Sequence, residues 1–302
     1  MNRQSLIYTV TFFAIVAALT VPVAARAADP DWKAVEQALG KSGQMQPGDV
    51  FRIGMPRTDL NVTVKGVPVK AGFALGSYAA FKQTGDHAMV MGDLVLLDQE
   101  IPAVMSGLFA GGIEVTAVHN HLNEMSPHTM YMHYSGHGDA VQMARALRQA
   151  LSASGTPLGG SAPAPAPASG PALDTKAIEQ ALARSGRDVG GGVFQLTVAR
   201  AETITEMGQP LLPGMGVVTV MNFQPTADGK AAITGDFVLI DKEVNAVAKT
   251  LRQHGVDVTA IHNHALMDTP RLFYMHFWAN DDPVKLAQAL KAALDLTNSR
   301  TP

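Results

Sequence analysis

The sequence repeats itself once, and this repeat constrains the possible fold more than any other feature. Equivalent residues lie 143 positions apart: residues 36–39 and 179–182 both read Glu-Gln-Ala-Leu, and Val50-Phe51 recurs as Val193-Phe194. This period is far longer than the roughly 20–50 residues of solenoid repeats. The sequence therefore predicts two homologous domains, and the matches indicate that the two copies align without a gap.

The repeat and the local composition together predict the domain boundaries. We place the first repeat domain at residues 28–151, a linker at 152–173 and the second repeat domain at 174–302. The linker is rich in Ala, Pro, Gly and Ser, a composition that has no means of burying a core. A length of 302 residues agrees with about two domains.

Residues 1–27 have the pattern of a secretory signal peptide. Arg3 supplies a positive charge, an apolar run follows, and Ala25-Arg26-Ala27 has small residues at the two positions that signal peptidase reads. An uncleaved anchor is the alternative, but Pro22 interrupts an apolar run that is barely long enough to span a bilayer. We expect a periplasmic or secreted protein with no stable membrane span after cleavage.

Each copy predicts the element order α-β-β-β-β-α-β-β-α from its hydrophobic periodicity. Within this pattern, residues 60–69 and 71–81 are predicted as strands, and Asp98 is predicted as the N-cap of a helix that ends near residue 110. Many strands and few helices favour an α+β fold in which each domain is a mostly antiparallel sheet with helices on one face. The open faces of two such sheets could pack on each other.

Each copy also contains a His-Asn-His run followed by a third histidine. The two sets are His119, His121 and His133 in the first copy, and His262, His264 and His276 in the second. Alternate side chains of a strand share a face, so the first two histidines of each set should point the same way. A returning antiparallel strand would bring the third histidine within cross-strand reach.

Three imidazoles with an open fourth position are typical of catalytic zinc sites and related transition-metal sites. The chain has no cysteine, so any metal must be held by nitrogen and oxygen ligands. We therefore predict a divalent transition metal in each copy, with zinc expected first and manganese, iron and copper as alternatives. The competing interpretation is a hydrogen-bonded histidine cluster that only stabilises the sheet.

Two pairs of repeated carboxylates are candidates for catalytic proton transfer or for completing the metal site. One pair is Asp93 with Asp236, and the other is Glu100 with Glu243. Asp93 lies in an apolar strand, where a carboxylate must be paired or coordinated unless it occupies a bulge. Glu100 is predicted in the first turn of a helix, where the helix dipole alone would favour it.

The second copy in particular resembles the LppY/LpqO family of exported bacterial proteins of unknown function. The resemblance is carried by residues 235–239, 243–245 and 270–278, and most specifically by the run Val258-Thr259-Ala260-Ile261-His262-Asn263-His264. It extends over both copies, although His128 stands in the first copy where Arg271 stands in the second. The resemblance implies an exported bacterial protein and carries over no reaction.

These observations leave two functional hypotheses. The first is a metal-dependent hydrolase or lyase, and the second is a non-catalytic periplasmic module that binds a metal or a small-molecule or cell-envelope ligand. A formal net charge of −3 gives no electrostatic reason to expect a nucleic-acid partner. Arg57 and Arg200 could bind an anionic group, although surface arginines are the simpler expectation.

Overall fold

A computed structural model of the chain describes residues 30–159 and 172–300. The predicted signal peptide and residues 160–171 of the predicted linker lie outside the described residues. No helix within the described ranges is both long enough and apolar enough to cross a bilayer.

The first half begins and ends with a helix, and its strands lie between them. Its elements are α1 (Trp32–Leu39), β1 (Gln44–Gln46), β2 (Val50–Pro56), β3 (Val62–Val64), β4 (Val67–Val69), α2 (Ala71–Ala74), β5 (Gly76–Thr84), β6 (His87–Leu97), a 3-10 turn (Asp98–Glu100), α3 (Ile101–Ala110), β7 (Glu114–His119), β8 (Met125–Ser126), β9 (Thr129–Gly138) and α4 (Ala140–Leu151).

The second half repeats this order, with 3-10 turns at 213–215 and 227–229. Its elements are α5 (Thr175–Leu182), β10 (Gly186–Asp188), β11 (Phe194–Val198), β12 (Ile204–Glu206), β13 (Gln209–Leu211), β14 (Thr219–Pro225), β15 (Ala231–Leu239), α6 (Asp241–Gln253), β16 (Asp257–His262), β17 (Asp268–Thr269), β18 (Phe273–Asp281) and α7 (Pro283–Leu294).

Each half is built on a six-stranded antiparallel sheet. The strand orders are β1-β2-β5-β6-β9-β7 in the first half and β10-β11-β14-β15-β18-β16 in the second. A three-stranded sheet accompanies each one, with the orders β4-β3-β8 and β13-β12-β17. The prediction of two α+β domains with mostly antiparallel sheets is confirmed.

Two strand predictions differ from the structure. Residues 60–69 form the hairpin β3–β4, because Lys65 and Gly66 turn the chain with φ angles of 49° and 79°. Glycine adopts this left-handed conformation without steric cost, so the turn depends on Gly66. The segment predicted as a strand from residue 71 begins with the helical turn α2 and becomes β5 only at Gly76.

The prediction that the copies align without a gap is wrong. Val95 donates its backbone N–H to the Ser77 hydroxyl, and Val238 donates equivalently to Thr219. The donors are 143 positions apart (95 and 238), whereas the acceptors are 142 apart (77 and 219). The second half therefore lacks one residue before β12 and regains one in the turn between β14 and β15. Length changes in surface turns cost little because they leave the paired strands intact.

Helices cover one face of each six-stranded sheet and form its core. In the first half Val90, Leu94 and Met132 belong to this buried cluster, and in the second half Met275 and Phe277 do. The helices are positioned by aspartate N-caps, whose side chains accept backbone N–H bonds at Asp31, Asp139, Asp174 and Asp282.

The opposite faces of the two sheets meet and bury a second interior. Met89 and Met91 of the first half share a buried cluster with Val238 and Tyr274 of the second. A further cluster joins residues of the β3–β4 hairpin to Trp278. The two halves therefore close on each other, and polar side chains on these faces are shielded from solvent.

Asp98 is not the N-cap that the sequence predicts. Leu97 occupies the cap position, and the Glu100 carboxylate reaches back to accept its backbone N–H at 2.8 Å. Asp98 instead contacts the ring of His128 at 2.9 Å on the surface. The helix start is therefore capped by Glu100, the third residue of the turn. In a capping box a glutamate at this position likewise accepts the backbone N–H of the N-cap residue.

Gly92 gives the first testable consequence of this packing. A β-carbon at this position would lie 2.2 Å from the Tyr78 carbonyl oxygen and 2.3 Å from the Tyr134 hydroxyl oxygen, which are hydrogen-bonded to each other. We expect Gly92→Ala to lower the free energy of unfolding by about 1–3 kcal/mol or more, because the central strands must separate. Urea denaturation measures the loss. Gly54→Ala is the control, since a β-carbon there meets nothing within 4 Å, and an equal loss in both variants would contradict the explanation.

Candidate metal centre

Strand register brings the repeated aspartates and histidines side by side. Asp93 of β6 lies opposite His133 of β9, and His133 lies opposite Ala117 of β7. The second half repeats this arrangement with Asp236 opposite His276. In both halves a register shift interrupts the edge strand just before its histidines, between Val115 and Ala117 in the first half. Such bulges commonly redirect side chains near functional sites.

The two sets of histidines meet between the halves. The ring centroids of His119 and His262 are 3.4 Å apart, and each remaining ring also contacts a ring of the other half. These contacts are reciprocal: His121 lies 3.7 Å from His276, and His133 lies 3.7 Å from His264. The two halves are therefore related by an approximate twofold axis that passes through the histidines.

The structure brings the predicted triad of the first half together, whereas the predicted triad of the second half is not a group of its own among the described residues. Three groups of histidines have ligand atoms within 4.8 Å of one another, and two of these groups combine both halves. They are His119, His121 and His133; His119, His262 and His276; and His133, His262 and His264. The sequence predicts a complete site within each repeat, whereas in the structure the histidines of both repeats form one cluster of six.

Backbone carbonyls fix the orientation of four of the six rings. The Nδ1 atoms of His119 and His262 lie 3.0 Å from the carbonyl oxygens of the asparagines that follow them. The Nδ1 atoms of His133 and His276 lie 3.3 and 2.9 Å from the carbonyl oxygens of Gly92 and Gly235. An imidazole that donates from Nδ1 presents its Nε2 lone pair elsewhere, which is how proteins orient metal-binding histidines.

Several nitrogen and oxygen atoms of the cluster that could bind a metal have no hydrogen-bond partner. Among the described residues, eight buried side-chain nitrogen or oxygen atoms have no hydrogen bond, and six belong to this cluster. They are Oδ1 of Asp93 and Asp236, and Nε2 of His119, His121, His133 and His264. A buried polar atom without a partner costs about 1–3 kcal/mol. The four histidine atoms belong to groups of rings whose ligand atoms lie within 4.8 Å of one another, which fits a cation coordinated by these rings. The Asp93 and Asp236 carboxylates lie 3.6 and 3.9 Å from Nε2 of His121 and His264.

The positions of His262 and His276 also fit a metal-binding role. Nε2 of His262 lies 2.7 Å from Nε2 of His276, and the Nδ1 atom of each ring already faces a carbonyl oxygen. Two neutral rings in this arrangement would direct lone pairs at each other. A shared proton or a cation removes that repulsion, so these rings also fit a metal-binding role.

Burial sets the protonation of the cluster. It raises the pKa of Asp93 to about 7, and burial together with the charge of Asp93 raises the pKa of Asp236 to about 8. Burial lowers the pKa of His119 to about 4 and, together with the charge of His119, that of His276 to about 3. The imidazoles are therefore neutral at pH 7, the form that binds a metal ion.

The asparagine and threonine that accompany the histidines hold the two halves together. Thr116 donates its hydroxyl to the His264 carbonyl oxygen, and Thr259 donates to that of His121. The Asn120 and Asn263 amides donate in the same reciprocal way to the carbonyl oxygens of Thr259 and Thr116. The sequence analysis missed this role, although the repetition of Thr and Asn in both copies was a visible signal.

The structure does not bring Glu100 and Glu243 to the histidines. Glu100 is bonded to Arg57 at 2.7 Å and Glu243 to Arg200 at 2.6 Å. Both arginines are buried, so the expectation of surface arginines is wrong. Gly155, within the predicted linker span, also donates its N–H to Glu100. These carboxylates thus satisfy a buried ion-pair network, and only Asp93 and Asp236 lie beside the histidines.

A cavity of about 740 Å³ between the halves reaches the cluster. At the cluster it is lined by Asp93, His121, Asp236, His264 and His276. Farther out it is lined by polar and aromatic side chains of both halves, including Arg52 and Tyr78. The sequence analysis did not identify Arg52 or Tyr78, because neither residue is repeated.

Comparison with known proteins identifies a family and little more. The family described as "Domain of Unknown Function (DUF1259)" matches residues 33–153 and again residues 176–296. No curated protein matches the chain.

Two solved structures align with the chain at low similarity. They are the trimeric bacterial microcompartment shell protein PduB, with 16% identity and a TM-score of 0.23, and EtuB from Clostridium kluyveri, with 10% identity and a TM-score of 0.20. Each alignment covers 85% of this chain and 91% of the other. TM-scores this low support no inference about shared architecture or function.

Proposed function

The chain belongs to the family described as "Domain of Unknown Function (DUF1259)", with two tandem copies of its domain, and from that premise we propose that it binds a divalent transition metal between the copies. Histidines of the six-membered cluster would hold the metal, and the carboxylates of Asp93 and Asp236 would lie beside it, with zinc expected first and manganese, iron or copper as alternatives. We further propose that the metal supports a hydrolytic or lyase reaction.

One observation carries the proposal: four buried histidine Nε2 atoms without hydrogen-bond partners belong to groups of rings, two of these groups shared by both halves, that could hold a metal ion. A purely structural histidine cluster would be expected to satisfy its nitrogens with hydrogen bonds, because unpaired buried donors and acceptors destabilise the fold. Nitrogen and carboxylate ligands together suit the first-row divalent metals and exclude a thiolate site.

The cavity gives a substrate access to the cluster, as a catalytic metal site requires, whereas a structural metal site is fully enclosed by its ligands. A metal bound here would supply Lewis acidity and lower the pKa of a water molecule. Asp93 and Asp236 line the cavity, and burial places the pKa of these carboxyls at about 7 and 8. A bound metal cation would lower both pKa values, so each carboxyl would be ionised and able to accept a proton as a general base.

The proposal extends to the compartment in which the protein acts. We propose that residues 1–27 direct export and that the mature protein acts in the periplasm or outside the cell, as the resemblance to the LppY/LpqO family implies. Its ligand would then be a small molecule or a component of the cell envelope.

A non-catalytic metal-binding module remains the second candidate. It is favoured by the positions of Glu100 and Glu243, which are held by buried arginines instead of facing the cavity. A protein that only stores or senses metal needs the histidines but no further proton-transfer groups. Turnover by the metal-loaded protein separates this candidate from the enzyme.

Metal content tests the proposal directly. The chain from residue 28 onward would be purified, exposed to Zn, Mn, Fe or Cu, desalted, and measured by elemental mass spectrometry. We expect at least one equivalent of one metal per chain, and a loss of most of it in His133→Ala. His137→Ala is the matched control, because His137 lies on the same strand but is exposed.

Retention of metal in His137→Ala and loss in His133→Ala would support the cluster as the binding site. The proposal is contradicted if the wild-type protein takes up none of the four metals. Equal loss in both variants would indicate metal held by surface histidines instead.

A further inference from the structure

Arg52 is a cation in the cavity wall whose described contacts leave most of its charge unpaired. Its guanidinium lies 3.5 Å from the centroid of the Tyr78 ring, and its Nη1 donates to the Gly214 carbonyl oxygen at 2.6 Å. No described carboxylate forms a salt bridge with it, in contrast to the buried Arg57 and Arg200. Arg52 is therefore held in place by an aromatic ring and a neutral acceptor, with further N–H donors left over.

The same position in the other half is not an arginine. Residue 195 is glutamine, and it bonds to its own neighbours Asn222 and Arg187 at 3.0 and 3.1 Å. The residue opposite Asp93 on the neighbouring strand is Tyr78, whereas the residue opposite Asp236 is Val220. The histidine cluster is symmetric, but the arginine stacked on an aromatic ring, Arg52 on Tyr78, has no counterpart at the equivalent positions of the second half, Gln195 and Val220.

The rest of the described lining is mixed and has no carboxylate. Beyond the cluster it consists of amide and hydroxyl side chains, several glycines, apolar residues such as Phe73 and Val218, and Arg187 at an exposed position. The only carboxylates in the lining are Asp93 and Asp236, which are held at the cluster. An anion would therefore meet Arg52 beyond the cluster, and the carboxylates of Asp93 and Asp236 at the cluster itself, so its anionic group is expected at the Arg52 end.

We propose that the cavity binds a small organic anion whose carboxylate or phosphate group is held by Arg52. A guanidinium recognises both groups through paired N–H donors. Tyr78 keeps the guanidinium plane fixed, and the Gly214 carbonyl ties it to the other half. The opposite end of the anion would reach the histidine cluster, and in this respect alone the inference rests on the proposed function.

Binding of simple anions to metal-free protein tests the inference independently of the metal. Inorganic phosphate and succinate would each be titrated by calorimetry into desalted, metal-free wild type and Arg52→Gln. We expect at least one of the two anions to bind the wild type, and Arg52→Gln to weaken that binding about tenfold or more, because a charge-assisted hydrogen bond is lost. The anion that binds distinguishes a phosphate ligand from a carboxylate ligand.

Arg187→Gln is the matched control, since it removes the same charge from an exposed position in the same cavity. An equal loss of affinity in Arg187→Gln would overturn the inference, because it would indicate unspecific attraction by net charge. Failure of both anions to bind the wild type would overturn it as well. Metal content of Arg52→Gln should equal that of the wild type, so a failed metal proposal and a failed anion site give different results.

Discussion

Arg57→Met is expected to lower the free energy of unfolding by about 3–5 kcal/mol, the usual cost of removing one partner from a buried ion pair. The Arg57 side chain is fully buried and donates to Glu100, Asp59 and the Val95 carbonyl oxygen. Without it, the buried Glu100 carboxylate would keep only backbone donors. Denaturation by urea, followed by circular dichroism, measures the change.

The duplicated chain provides both a replicate and a control for this experiment. Arg200→Met should have a similar effect, because Arg200 makes the same contacts with Glu243, Glu202 and the Val238 carbonyl oxygen. Lys285→Met is the control, because it removes a solvent-exposed ion pair with Asp281. We expect it to leave the free energy of unfolding essentially unchanged. A mild effect of both arginine variants would show that water enters the buried network and replaces the lost partner.

Removing the proposed metal should produce the second large effect. A ligand that binds only the folded state stabilises it by about 4 kcal/mol when its free concentration is a thousand times its Kd. For a chain of this size we expect chelation to lower the Tm by about 10 °C. Scanning calorimetry before and after chelation measures the shift, and His133→Ala should not respond to the chelator.

The metal-free protein should also have a narrow pH range of stability. The pKa values of the buried histidines are lowered, so their contribution is present above pH about 6.5 and is lost as the pH falls. The pKa values of Asp93 and Asp236 are raised to about 7 and 8, so their contribution is lost as the pH rises through those values. We expect maximum stability near pH 6.5. An Asp93→Asn/Asp236→Asn variant that still loses stability above this pH would refute the assignment.

Periodicity and repetition predict the long strands, the main helices and the faces of the histidine-bearing strands, but not the β3–β4 hairpin or the helical turn α2. The alternation along β9 and β18 correctly separates the histidines from Met132, Met275 and Phe277, which pack under the helices. These features depend on neighbours within a strand, and a strand's own sequence records them. The six histidines were found because both copies contain them.

Contacts between distant segments could not be predicted in the same way. Arg57 is buried only because Glu100, 43 residues later, closes on it, and nothing near Arg57 in the sequence records that partner. The single cluster likewise depends on which faces of the two sheets meet. No repeat marks Arg52 in the sequence, because its position in the second copy is occupied by Gln195.

The reciprocal contacts across the histidine cluster bear on how such a protein could arise. A polypeptide with one copy of the domain could assemble this cluster only as a homodimer with twofold symmetry, in which both subunits offer the same surface. Every wall residue would then occur twice. Joining the copies in one gene frees the two walls to diverge, so an arginine can face the cavity at residue 52 while glutamine stands at residue 195. Covalent fusion thus permits a symmetric histidine cluster to lie beside an asymmetric cavity wall.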